Sequence, residues 1–393
     1  MGLREEIVEA SRNLSEYVVR MRRDFHMYPE LKWEERRTSS IVESELRSLG
    51  MEVVRVAETG VIGVIKGREG PVVALRADMD ALPVQEENDV SYKSRVPGKM
   101  HACGHDAHTA MLLGAAKILA KHRDRLAGTV KLIFQPAEEG GLGAKAMIES
   151  GVLDDVKAFF GMHVWSALPA GVVGIKEGPM MAGADAFTIK VRGMGGHGAQ
   201  PHEAVDPVPP ACDIVNALNR IVSREVPALR PAVLSVTMVR GGTTFNVIPG
   251  EVVMAGTLRT FDEGLRKGIL ERIESIVKHY AKAWGCEGVF ELSEEYVPPV
   301  INDPKVTNVV RDVANELTRV VEVEPTMGAE DFSFYAKKAP SAFAILGVRN
   351  ESKGVIYPHH HPKFNVDEDV LWIGTALYSL TAVKLLETLR PEL

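Results

Sequence analysis

Val72-Val73-Ala74-Leu75-Arg76-Ala77-Asp78-Met79-Asp80 opens on an apolar run, residues 72–75, and ends on two carboxylates. A run this short, bounded by polar residues, reads as a strand buried on both faces. Two further stretches share the design: residues 130–134 lead into Glu138 and Glu139, and residues 158–162 lead into His163. Between them, residues 106–122 place Met111, Ala115, Ile118 and Leu119 on one face, the spacing of a helix. Strands alternating with helices predict an α/β fold, a mainly parallel sheet with helices on both faces. Upstream, Ile7, Leu14, Val18 and Met21 predict one amphipathic helix that ends before Pro29.

The pattern changes near residue 180. Strands over 187–191, 233–239, 252–259 and 289–292, with helices over 207–222 and 262–284, form the order strand, helix, strand, strand, helix, strand. That order is a split βαβ, ferredoxin-like α+β unit. Pro298-Pro299 then reads as a return linker, after which a strand at 342–346 and a helix at 371–389 resume the α/β alternation. The expected organisation is one α/β domain in two pieces, 1–182 and 295–393, interrupted by a smaller domain at 183–294.

A chain of 393 residues with 45% apolar and 25% charged residues suits a globular protein of two domains. The net charge of −7, without a block of like charges, argues against a nucleic-acid partner. Met1-Gly2-Leu3-Arg4-Glu5-Glu6 lacks the apolar core of a signal peptide, and no stretch reads as a bilayer span. Cys103, Cys212 and Cys286 are sparse and far apart, as expected of reduced thiols in a cytoplasmic protein without membrane association. Of 12 histidines, three fall within 101–108 and three are consecutive at 359–361.

Functional groups of open α/β sheets collect beyond the carboxyl ends of strands, where Asp78, Asp80, Glu138, Glu139 and His163 are expected. Cys, His and Glu together form the ligand set of a zinc-like site. Taken singly, a buried Cys is a small hydrophobe and Glu138-Glu139 is a solvated turn before Gly140-Gly141. Their coincidence favours a metal. Adjacent carboxylates can then divide the labour, one holding metal while the other moves protons.

His101-Ala102-Cys103-Gly104-His105-Asp106-Ala107-His108, Pro136-Ala137-Glu138-Glu139-Gly140, Gly161-Met162-His163, Gly328-Ala329-Glu330-Asp331-Phe332 and His360-His361-Pro362-Lys363-Phe364 resemble the signatures of the metal-dependent amidohydrolases. That family includes hippurate hydrolase, auxin-conjugate hydrolases, N-acyl-amino-acid amidohydrolases and an archaeal carboxypeptidase/aminoacylase. The resemblance spans nearly the whole chain and implies a zinc-exopeptidase-like fold carrying a ferredoxin-like dimerisation domain. It implies that Cys103, His105, Glu139, His163 and His360 bind two divalent ions, with Cys103 bridging. Zinc is the expected metal, with cobalt, manganese or nickel as the others that suit a thiolate, whereas magnesium and calcium do not. His360 is preferred over His359 and His361 because the family's last ligand lies two residues before the proline. Glu138 is the implied general base and acid. Asp78 and Asp80 are implied to orient ligands, not to coordinate.

In the smaller domain, Gly195-Gly196-His197-Gly198 resembles the segment that reaches the partner's active site, where His197 would stabilise an oxyanion. Asn246 and Arg259 match substrate-binding positions, and a planar guanidinium suits a carboxylate. The implied activity is hydrolysis of the amide bond of N-acyl-L-amino acids or short peptides with a free carboxylate, by a homodimer or higher homo-oligomer. His26 is read as support for the fold, and Cys212 and Cys286 as packing residues. The rivals are a related carbamoylase or diacid-amino-acid deacylase, a Cys103 thiol hydrolase, and a non-catalytic binding protein. A thiol hydrolase leaves Glu138-Glu139 and His360 without a role, and a binding protein has no use for Glu138.

Overall fold

The computed structural model describes residues 2–390. Chain contacts divide it into two units: Met1–Met180 with Ile301–Glu324 and Asp331–Leu393, and Met181–Val300 with Pro325–Glu330. The smaller unit is therefore longer than the 183–294 expected. It also takes back a short later segment, which sequence reading placed with the C-terminal piece.

The larger unit is built on an eight-stranded sheet. Its centre is parallel: Thr129–Gln135, Val72–Asp78, Val156–Pro169 and Ser341–Arg349 lie side by side in that order. These strands are buried along nearly their whole length, as sheets covered on both faces require. The margins depart from the parallel expectation, because Glu52–Val56 and Gly60–Lys66 form an antiparallel hairpin that joins Thr129–Gln135 in antiparallel register. Helices His105–Lys121 and Leu371–Thr388 pack against each other and against Val72–Asp78.

Three local expectations need correction. The N-terminal helix is two helices, Leu3–Asn13 and Ser15–Met27, because Leu14 leaves helical geometry at φ −90°, ψ 2°. His163 lies inside its strand, which runs on to Pro169. One segment, Glu368–Thr388, is long and apolar enough by composition to cross a membrane, contrary to the sequence reading; it is instead largely buried as a core helix of the larger unit.

The smaller unit has a four-stranded antiparallel sheet in the order Ala232–Gly241, Glu251–Thr260, Gly183–Arg192, Glu287–Leu292. The third strand in sequence thus lies between the first two, the split βαβ arrangement. Alternate residues of Gly183–Arg192 are buried, so one face is packed. Phe187, Ile189, Val191 and Met254 meet Ile214 and Leu218 of helix Val208–Arg224 and Ile273 of helix Glu263–Ala283 in one core.

Candidate active site

Arg76 pairs with Gly161 in parallel register, so Asp78 and His163, two residues further along each strand, come level. His108 ties them together. Its Nδ1 donates to Asp78 Oδ1 at 2.6 Å, and its Nε2 accepts the N–H of Val164 at 2.8 Å. Both ring nitrogens are thereby used, and His108 is a strut, not a ligand.

Cys103 and His105 flank Gly104, which has φ +90°, and a Cβ there would meet Val164 Cγ2 at 2.3 Å. Only glycine allows this close turn at the start of the helix, which brings both neighbours to one site. His105 Nδ1 faces Asp80 Oδ1 at 3.3 Å, leaving its buried Nε2 without a hydrogen-bond partner. His163 Nδ1 donates to Val164 O at 2.6 Å, which turns Nε2 to Cys103 Sγ at 3.4 Å. Burial, then the neighbouring His108 and His359 rings, push His163 well below its ordinary pKa, so its Nε2 lone pair is available.

The three adjacent histidines separate clearly. His359 Nε2 accepts the N–H of Ser166 at 3.2 Å. His361 stacks on Tyr357, with ring centroids 4.6 Å apart. His360 has its Nε2 3.2 Å from Glu139 Oε1, and Cys103 and Glu139 hold its pKa up at about 10.

Cys103, His105 and His163 offer donor atoms within 4.8 Å of one another, and so do Cys103, Glu139 and His360. Cys103 is common to both groups. Glu138 joins His105 and Glu139 in a third group on the same 4.8 Å measure. Burial and Glu139 push the Cys103 thiol up, so a thiolate here needs a cation beside it. This soft donor set, with an orphaned imidazole nitrogen in it, fits two divalent transition-metal ions.

Two buried networks support the cluster. Asp80 accepts the backbone N–H groups of Glu138 at 3.0 Å and Glu139 at 2.9 Å. Arg76 donates to Asp78, Gln135 and Asp331 at 2.7, 2.8 and 2.9 Å, and Gln135 also donates to Asp331. Sequence reading assigned no role to His108, Arg76, Gln135 or Glu35; Asp331 at least lies within a quoted motif. His26, read as fold support, is buried between Asp106 at 2.7 Å and Glu86 at 3.1 Å.

In the smaller unit, His197 and Asn246 line one cavity of about 770 Å³, formed by residues 195–197, 242–243 and 246–251. The short strands Gly196–His197 and Val247–Ile248 pair and hold these residues side by side. His197 Nδ1 accepts the Ala199 N–H at 3.0 Å, so the neutral ring carries its proton on Nε2 as a donor. Arg259 does not line that cavity. It lies half-buried on the strand Glu251–Thr260, donates to Thr257 Oγ1 at 3.1 Å and makes no ion pair among the described residues.

Comparison with known proteins adds the family. Residues 74–384 match the family described as Peptidase family M20/M25/M40. The chain is 46% identical to thermostable carboxypeptidase 1 of Saccharolobus solfataricus over 389 residues, 98% of this chain and 99% of that protein. It is 41% identical to N-acetylcysteine deacetylase of Bacillus subtilis, over 95% of this chain and 98% of that one. A solved structure from Bacillus subtilis, the YXEP protein, is described as a dinuclear metal binding peptidase. It superposes with a TM-score of 0.85 at 39% identity, over 96% of this chain and 99% of that one.

Proposed function

The chain belongs to peptidase family M20/M25/M40, and we propose that it is an aminoacylase/carboxypeptidase that releases free amino acids from N-acyl-L-amino acids and short peptides. The carboxypeptidase and deacetylase relatives support this substrate class. The observation that carries the reading is the sharing of Cys103 between two ligand groups, with Glu138 beside them.

Cys103, His105, Glu139, His163 and His360 would hold two divalent ions, zinc first and cobalt, manganese or nickel as alternatives. Such ions, when bound, polarise the scissile carbonyl and make water acidic enough to attack near neutral pH. Glu138 takes the proton from the attacking water and passes it to the leaving nitrogen. The clamp of Asp80 on the Glu138 and Glu139 N–H groups keeps the base and the ligand in fixed relation. His197, from the partner subunit of a homodimer, donates Nε2–H to the oxyanion. Asn246 and Arg259 hold the substrate's carboxylate; the guanidinium's lack of an ion pair leaves it free for that role. The free cysteines support a cytoplasmic location. A Cys103 nucleophile would need a lowered pKa, and the site raises it.

Replacement of Glu138 by Gln should remove turnover while metal content stays at the parental level. A variant that keeps most of its activity would show that another group is the base. Mixing His197→Ala subunits with Glu138→Gln subunits should restore activity through one intact composite site. Absence of recovery after demonstrated subunit exchange would refute the shared site.

A further inference from the structure

Glu35 is fully buried, and among the described residues it has no cationic partner. A carboxylate in that position is costly unless hydrogen bonds compensate it. Its bonds are specific. Oε1 accepts the N–H of Trp33 at 3.1 Å and of Ala137 at 2.9 Å, and Oε2 accepts the Thr59 hydroxyl at 2.6 Å. Trp33 and Ala137 have φ of +66° and +52°, the left-handed region that residues with a Cβ avoid. Ala137 immediately precedes Glu138 and Glu139. Three consecutive N–H groups, of Ala137, Glu138 and Glu139, are therefore captured by two buried carboxylates, Glu35 for the first and Asp80 for the other two.

We propose that Glu35 is a positioning residue for the reaction: by holding Ala137 in its left-handed conformation it aims Glu138 and Glu139 from the turn after strand Thr129–Gln135. The inference rests on the reading of Glu138 as the base. Burial, and then the nearby Asp80 charge, lift the Glu35 carboxyl to about 7, a further sign that packing alone does not account for it. What the turn requires is a hydrogen-bond acceptor at the full reach of a glutamate, not a negative charge. Glutamine meets that requirement, because its amide oxygen can take both N–H groups while its NH₂ donates to the Thr59 oxygen. Aspartate keeps the charge and falls short. Leucine keeps the bulk and accepts nothing.

The test compares Glu35→Gln, Glu35→Asp and Glu35→Leu with Glu138→Gln in the metal-loaded enzyme, measuring kcat, KM, bound metal and Tm. A misplaced catalytic group can cost on the order of 100-fold in rate. Leu and Asp should lower kcat by about 30- to 100-fold with KM within about twofold, and Gln should stay within about threefold of the parent. A Leu or Asp variant with parental kcat, or a Gln variant as impaired as the Asp variant, overturns the proposal. Should the Leu variant not fold, the Gln and Asp pair still decides. If Glu138→Gln itself keeps turnover, the assignment of the base fails. If Glu138→Gln is inactive while the Asp variant is not, only the role of Glu35 fails.

Discussion

The ligand cluster of the larger unit and the cavity of the smaller unit are built on opposite principles. In the first, the two buried imidazoles have their second nitrogen committed: His105 to Asp80, His163 to the Val164 carbonyl. The carboxylates behind it are buried and satisfied, Asp78 by Arg76 and His108, Asp331 by Arg76 and Gln135. In the second, His197 is exposed and its ring accepts one hydrogen bond, from the Ala199 N–H, while the neighbouring Phe245 is fully exposed. The first region is organised before anything binds, which suits ion coordination and proton transfer. The second is open and lightly tethered, which leaves its side chains accessible to a ligand. Turnover should therefore be sensitive to small changes throughout the first region, whereas in the second it should depend on His197 and the other lining residues should act on substrate preference.

The largest expected effect belongs to the ordered region. Glu138→Gln should lower kcat by about 10³-fold or more, with both metal equivalents retained by elemental analysis. Next, His197→Ala should lower kcat by about 100-fold, as expected for an oxyanion donor, and leave metal content unchanged. Arg259→Ala should act mainly on kcat/KM for substrates with a free carboxylate, by about 10- to 100-fold, and much less on the corresponding amides. An equal loss on both substrate sets would remove Arg259 from carboxylate recognition. Asp80→Asn should weaken metal affinity by about 10- to 100-fold, read from metal titration of the chelated protein.

The smallest effect is on stability. Glu35 has its pKa lifted from 4.5 to about 7 by burial, so the folded state holds that proton more tightly than the unfolded state. The stability this contributes is complete below 4.5 and is lost as pH rises to about 7. Glu35→Gln, which does not titrate, should therefore gain on the parent between pH 5 and pH 8, by on the order of 2 kcal/mol. Parallel pH profiles for the two proteins would show that Glu35 titrates normally.

How much of this was legible in the sequence follows the same division. The buried strands were readable because residues 72–75 and 158–162 are unbroken apolar runs and residues 130–134 are apolar but for Lys131, and the helix around Met111 because its apolar residues recur at helical spacing. The split of the first helix at Leu14 was not, since the apolar spacing continues across it. The buried helix Leu371–Thr388 escaped notice as a candidate span, although by composition it qualifies. Among site residues, the ligand types were visible through their motifs. Choosing among the three adjacent histidines on geometry needed the partners of each, Ser166 for His359, Glu139 for His360 and Tyr357 for His361. The tie between Glu35 and the site carried no local signal, because the Ala137 N–H group lies 102 residues away in the chain.

Amide hydrolysis by this chain should depend on ions held around Cys103. The decisive measurement strips the protein with a chelator, adds zinc back stepwise, and follows amino-acid release from N-acetyl, N-benzoyl and dipeptide substrates. The stripped protein should release nothing, and recovery should saturate at two equivalents per subunit. Undiminished release from protein shown to be free of metal would contradict that dependence.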